Sequence, residues 1–205
     1  MPRPTGTQRL EARKARLERH AAETNPDTVL NAAARFLELR SRSVHEVRRH
    51  LADVAFPAEL VDGAISRLLE LGMLDDRAFA TAWVESRDRA RPRGKSALRH
   101  ELALKGIDRE TIVAVLAERD RAAVAAADDA GADGDPFNAQ PPAGSADEVA
   151  ARRLLDKNRS ALVRVADPRV RRQRAYALLA RKGFDPGVCR DVSGRFATPD
   201  ATLDD

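Results

Sequence analysis

Three stretches of this chain carry the same punctuation. Leu51, Leu102 and Leu179 each stand five residues before an apolar residue, Phe56, Ile107 or Phe184, and Val61, Ile112 and Cys189 stand five residues after it. Nine residues before that common point are Val47, Leu98 and Ala175. Such spacing constrains the fold strongly if two helices meet at the common point. The residue that follows it, Pro57, Asp108 or Asp185, is then an N-cap or first helical residue, and an Asp there accepts from free helix amides. The common residue becomes N′ and the residue five later N4, the pair of a hydrophobic staple. Lys105-Gly106 and Lys182-Gly183 close the preceding helix, Gly supplying the left-handed C′ position. The first copy has Ala55 where the others have Gly, so a corner of different angle is expected there.

A further helix precedes each corner. TVLNAAARFLELR (28–40) places Val29, Ala33, Phe36 and Leu37 on one face, and DDRAFATAWVESR (75–87) does the same with Phe79, Ala80, Trp83 and Val84. Ser43 with Glu46 and Ser145 with Glu148 match the capping box, while Asp167-Pro168 pairs an N-cap with an N1 proline. Asp75-Asp76 reads as an N-cap rather than an acid/base pair. No alternating apolar pattern or Asn-Gly hairpin turn competes. The expected fold is all-α, three tandem three-helix repeats forming an elongated, curved body, each repeat too small to stand alone.

Spacing between copies divides the chain. The third common point is 77 residues beyond the second, against 51 between the first two. The excess coincides with a stretch rich in Ala, Asp, Gly and Pro that cannot bury enough surface to offset its ordering entropy. The expected organisation is a flexible basic N-terminal arm (1–26), repeat 1 (27–73), repeat 2 (74–119), a disordered acidic linker (120–145), repeat 3 (146–195) and an acidic tail (196–205).

Charge is strongly segregated. Net charge is only +4, yet 33% of the 205 residues are charged and only 4% aromatic, so the core must be thin. Five of the 36 basic residues are lysines and the rest arginines. Between Ser86 and Lys105 lie Arg87, Arg89, Arg91, Arg93, Lys95, Arg99 and Lys105 against Asp88 and Glu101. In the corresponding part of repeat 3, Arg164, Arg169, Arg171, Arg172, Arg174, Arg181 and Lys182 face Asp167 alone. Clusters at equivalent places in stacked repeats would form a positive stripe suited to an acidic protein groove or a phosphate backbone.

Several function classes are disfavoured. The third helices of repeats 1 and 2 are mainly apolar and acidic, with too few Arg, Asn or Gln to read bases. No Gly-rich phosphate loop, GxSxG, Cys–His arrangement or HExxH occurs, so no catalytic residue is assigned and an enzyme is not expected. One cysteine, Cys189, at a staple position, reads as core, and four histidines lack zinc spacing, so no metal or cofactor is expected. The N-terminus has no apolar signal core and no window is long enough for a membrane span, which reads as a soluble, cytoplasmic protein without membrane partners.

With Leu74-Asp75-Asp76-Arg77-Ala78-Phe79-Ala80, Glu101-Leu102 followed by Lys105-Gly106-Ile107, and Arg172-Gln173-Arg174-Ala175-Tyr176 followed by Leu178–Phe184, the chain resembles the RecX family of bacterial regulators of the RecA recombinase. The resemblance covers about positions 28–118 and 146–195. It implies a monomeric, non-enzymatic modulator lying in the groove of the RecA–single-stranded DNA filament. Such a protein suppresses filament extension, ATP hydrolysis, strand exchange and the co-protease activity of the SOS response. Contact roles carried over on that basis fall on Arg87, Arg93, Lys95, Arg99 and Lys105 in repeat 2 and Arg172, Arg174, Tyr176, Arg181 and Lys182 in repeat 3. The alternatives are a non-specific binder of single- or double-stranded nucleic acid, with steep salt dependence, and a helical scaffold for another acidic partner.

Overall fold

A computed structural model describes residues 5–132 and 145–197, and within them the chain forms eleven α-helices and no strand. They are α1 (Gly6–Ala21), α2 (Pro26–Glu38), α3 (Val44–Asp53), α4 (Ala58–Glu70), α5 (Asp76–Ala90), α6 (Lys95–Leu104), α7 (Arg109–Ala132), α8 (Ala146–Lys157), α9 (Arg159–Val163), α10 (Pro168–Arg181) and α11 (Pro186–Ala197). The all-α expectation holds. The described residues fall into two compact units, one up to Phe79 together with Lys105–Ile107, the other Ala80–Leu104 together with residues from Asp108 onward.

In the first unit α2, α3 and α4 pack on one another around Val29, Ala33, Val47, Leu51, Phe56, Val61, Ile65 and Leu68. In the second, α6 packs on α7, α7 on α8, and α8, α10 and α11 enclose Ala151, Leu155, Leu162, Ala175, Leu179, Phe184, Cys189 and Val192. Every residue of the triplicated corner pattern is buried: Leu51, Leu102 and Leu179 are fully inaccessible, as are Val47, Leu98 and Ala175, and the staple residues Val61, Ile112 and Cys189 lie beneath the turn. The caps expected of Asp108 and Asp185 form, from Thr111 N–H at 2.8 Å and Gly187 N–H at 2.7 Å.

The corners themselves differ less than the sequence suggests. Gly106 and Gly183 take φ of 77° and 79°, and Ala55 takes 68°. Phe56 N–H reaches Leu51 C=O and Ala55 N–H reaches Ala52 C=O. Phe184 and Gly183 repeat the pattern with Leu179 and Ala180. Both are Schellman caps. So the first repeat turns as the third does, and Ala55 carries the steric cost that Gly removes.

Other expectations need correction. The arm assigned to 1–26 contains α1, because Thr5 and Gln8 form a capping box (Thr5 N–H to Gln8 Oε1 2.9 Å; Gln8 N–H to Thr5 Oγ1 3.4 Å) and Arg19 and His20 suit the C-terminal dipole. No residue of α1 is buried, yet its end is fixed: the His20 ring stacks on Phe56 at 4.3 Å and its Nδ1 lies 2.9 Å from Val54 O. The acidic linker assigned to 120–145 is helical as far as Ala132, since α7 continues through an alanine-rich run of high helix propensity. Residues 133–144 and the tail beyond Ala197 lie outside the described residues. Arg87 and Arg89 stand on α5. Repeat 3 gains the short α9 between its first and second helices.

Candidate partner-binding surface

Equivalent polar contacts join consecutive repeats. A helix leaves its last carbonyls and first amides without partners, and if buried these must be satisfied from outside. The carbonyl just before each left-handed corner residue belongs to Val54, Lys105 or Lys182. Lys105 C=O accepts from Ser43 Oγ at 2.6 Å, and Lys182 C=O from Gly94 N–H at 3.0 Å. Ser43 and Gly94 each stand directly before the second helix of the preceding repeat. At the first repeat the end of α1 takes the place, His20 facing Val54 C=O.

The first amides of those second helices are satisfied in return. Val44 N–H donates to Asp76 Oδ1 at 2.9 Å, and Lys95 N–H to both oxygens of Asp147 at 2.9 and 3.1 Å. Asp76 and Asp147 occupy the same register in the first helices of repeats 2 and 3. Asp75 is the local cap of α5, accepting from Ala78 N–H at 2.9 Å, so the two adjacent carboxylates divide an internal and an external task. The α10 helix breaks the series, for it starts eleven residues before its buried Leu179, whereas α3 and α6 start seven before theirs. That extra turn leaves no equivalent free amide, and the series of junctions stops.

The second of these junctions contains a deeply buried cation. Arg119, 6% exposed at its side chain, pairs with Asp88 through Nε (2.8 Å) and Nη2 (2.9 Å), and with Asp147 through Nη1 (2.6 Å). Burial would favour its neutral form, but the hydrogen bonds to Asp88 and Asp147 outweigh it and hold the guanidinium above its ordinary range. At the first junction burial alone would raise the Glu46 carboxyl. The Lys105 ammonium at 2.7 Å, with the Ser43 N–H and the Arg40 charge, outweighs that effect and lowers it.

Against this framework the ten residues assigned to partner contact separate into three groups. Arg87 stacks on Trp83 (4.2 Å) and donates to Glu101 Oε2 at 2.6 Å, which also accepts from Trp83 Nε1 at 3.0 Å; Arg93 Nε lies 3.3 Å from the other oxygen. Lys95 Nζ pairs with Asp120 at 2.7 Å, and Lys105 with Glu46. These four cations are neutralised within their own unit. Arg99 on α6 and Arg172, Arg174 and Arg181 on α10 are exposed, with no ion pair to another described residue. Tyr176 is half-buried against the core of repeat 3, and Lys182 is half-buried.

The α10 cations do not share one face. Arg172 and Arg174 are two positions apart, about 200° around a helix, while Arg174 and Arg181 are seven apart and nearly superposed. Arg172 lies beside Gly194 of α11, and Arg174 and Arg181 flank a recess of about 260 Å³ floored by Ala161, Leu162, Ala177 and Leu178. Charge counting finds such arginines but cannot separate the paired from the free. The exception was legible, since Glu101 is the only carboxylate between Asp88 and Asp108.

Fold and junctions define a tandem array of three-helix domains. No group of three or more potential metal ligands occurs among the described residues, and no helix there is long and apolar enough to cross a membrane. Three family models match in order: the first three-helix domain of RecX at residues 30–68, the second at 75–116 and the third at 146–192. A protein of Chlorobium phaeobacteroides (strain BS1) named Regulatory protein RecX is 31% identical over 171 residues, covering 83% of this chain and 95% of that one. Another of the same name, from Thermobifida fusca (strain YX), is 32% identical and covers 79% and 76%. The match to a Mycolicibacterium smegmatis protein of that name, 37% identical, spans 49% of this chain and 53% of that one. Among solved structures, RecX from Lactobacillus salivarius superposes with a TM-score of 0.64 at 17% identity, covering 83% of this chain and 96% of that one. A second, described as regulatory protein RecX, gives 0.61 at 18%, covering 94% and 79%. The chain belongs to the RecX family of regulatory proteins.

Proposed function

We propose that this protein binds the RecA–single-stranded DNA filament along its groove and inhibits it, suppressing extension, ATP hydrolysis, strand exchange and the SOS co-protease activity, as a non-enzymatic cytoplasmic regulator. Support comes from family membership and from one observation above the rest: the second helices of repeats 2 and 3 carry arginines that no described carboxylate neutralises. An unpaired exposed guanidinium retains its full attraction for anionic groups and loses little solvation on meeting them. The contact set is accordingly Arg99, Arg172, Arg174 and Arg181, with Tyr176 and Lys182 beside them. Arg87, Arg93, Lys95 and Lys105 contribute by fixing helix positions.

The test is inhibition of RecA ATPase on single-stranded DNA. Arg99→Glu/Arg174→Glu should weaken inhibition at least tenfold with an unchanged helical signal. Equal inhibition by the variant and the parent would refute the contact assignment.

A further inference from the structure

Helix α1 lies outside all three matched domains and buries none of its 16 residues. A helix of that length without packing is only marginally stable in water. A capping box supports one end, and the contacts of His20 with Phe56 and Val54 support the other. Its charges are sorted by side. At about 100° per residue, Arg9, Arg13 and Arg16 fall within about 60° of one another and form a ridge about 10 Å long, with Glu11 and Glu18 on the opposite side. Lys14 pairs with Glu18 at 3.8 Å, but the three ridge arginines are exposed and have no ion pair with another described residue. Like charges three and four positions apart weaken an isolated helix, so this order opposes the free helix and suits one lying against an anionic surface.

The chemistry of the ridge selects the surface. Single-stranded nucleic acid is held by aromatic stacking together with charge. No Phe, Tyr or Trp occurs in α1, and the His20 ring is already stacked on Phe56. A lipid surface calls for a broad apolar face with large side chains. Leu10 and Leu17 are the only large apolar residues of α1. A duplex asks for neither, since its closely spaced phosphates are met by cations alone. We infer that α1 is a docking helix for duplex DNA, with Arg9, Arg13 and Arg16 each neutralising a backbone phosphate. The contact reads no bases, because Gln8, the only side-chain amide of α1, is held in the capping box. This surface belongs to the first unit and is separate from the filament contacts proposed on α6 and α10.

Fluorescence anisotropy of a short labelled duplex, titrated with the full chain at several salt concentrations, tests this without any recombinase. Three phosphate contacts contribute about −2.7 to the slope of log K against log salt. Arg9→Gln/Arg13→Gln/Arg16→Gln should remove that contribution and weaken low-salt binding at least tenfold, and Arg9→Lys/Arg13→Lys/Arg16→Lys should retain both. Gln and Lys resemble Arg in helix propensity and α1 buries nothing, so the helical signal should not change. Arg35→Gln/Arg109→Gln/Arg153→Gln removes the same net charge from exposed positions elsewhere and should leave the slope unchanged. Unchanged duplex binding in the α1 variant, or equal losses in the two Gln variants, overturns the inference. So does a loss on oligo-dT or on phosphatidylserine vesicles as large as the loss on the duplex. Inhibition of RecA ATPase on single-stranded DNA by the α1 variant should match the parent's, which separates a failure here from a failure of the filament contacts. Loss of inhibition together with duplex binding would place α1 in the filament interface and overturn its separate role.

Discussion

At the first junction a side-chain hydroxyl satisfies the corner carbonyl, and at the second a peptide N–H does. Ser43 reaches Lys105 C=O across a gap that the His45 side chain also fills: a Cβ added to Gly106 would lie 2.3 Å from His45 Cβ. Gly94 instead brings backbone directly against backbone, and a Cβ there would lie 2.2 Å from Gly183 O. The first contact can therefore be edited by side-chain substitution, whereas the second depends on two glycines. Both junctions keep an Asp on the first amide of the second helix, and at the second a buried arginine holds that Asp. Closer backbone approach leaves less room for solvent, so the Asp147 carboxylate, 10% exposed, needs a counter-charge within the protein.

The sharpest way to break this contrast is Arg119→Met. It removes the guanidinium from between Asp88 and Asp147 and leaves two carboxylates facing each other in a poorly solvated site. Breaking a buried pair from one side costs about 3–5 kcal/mol. Denaturant unfolding should show a loss of that size, and Arg119→Met/Asp88→Asn should recover part of it. A loss below about 1 kcal/mol would mean that water reaches the site and that the two junctions do not differ in burial.

Glycine substitution probes the other half of the comparison. Gly94→Ala and Gly106→Ala should each cost about 3 kcal/mol, the upper range for overpacking a close contact. The relief differs. His45→Gly should recover much of the Gly106→Ala loss in a double-mutant cycle, although about 1 kcal/mol of strain at φ of 77° remains. No side-chain deletion should rescue Gly94→Ala, because its obstacle is the Gly183 peptide. Rescue of both, or of neither, would erase the distinction drawn between side-chain and backbone docking.

These residues also show what a single sequence discloses. Corner, staple and capping box all rest on neighbours within about five positions, and Leu51, Phe56, Val61 and their counterparts were readable for that reason. The junctions pair residues 32 to 88 positions apart, Val44 with Asp76 and Gly94 with Lys182, and no local pattern encodes such a partner. One signal was present nonetheless. Asp76 and Asp147 share a register that holds Val29 in repeat 1. Helix α1 buries no apolar face, so its local marks reduce to the Thr5–Gln8 capping box, and the far end of α7 rests on alanine helix propensity within a composition that otherwise signals a linker. Among the candidate contacts, Arg99, Arg172, Arg174 and Arg181 are exposed. Charge could not foresee that Glu101 would collect Arg87 and Arg93, since convergence on one carboxylate is a tertiary event.

His20 extends the comparison to repeat 1, where α1 supplies the contact to the corner carbonyl. His20→Ala removes both the donor to Val54 C=O and the ring stacked on Phe56, and should destabilise the first unit by about 1 kcal/mol. His20→Asn, which restores a donor without the ring, should recover a fraction. Hydrogen exchange at residues 54–61 is the local readout. Unchanged protection there in His20→Ala would show that the corner of repeat 1 closes without a cap.

The smallest effect expected is a gain. Ala55 stands at φ of 68°, where Gly106 and Gly183 stand in the other repeats, and the left-handed region costs an L-residue about 1–2 kcal/mol. Ala55→Gly relieves that strain but adds unfolded-state entropy, which returns roughly 0.5–1 kcal/mol of the gain. The net expectation is about 0.5 kcal/mol of stabilisation, read as a small rise in the denaturant midpoint with an unchanged slope. The converse change at Gly183, where an added Cβ would lie 2.6 Å from Ala97 Cβ, should be destabilising, since strain and overlap there act together. At Ala55 a Cβ is already accommodated, so its cost is backbone strain alone. A destabilised Ala55→Gly variant would mean that packing of the Ala55 methyl outweighs that strain, and the first corner would then be a different solution rather than a strained copy of the other two.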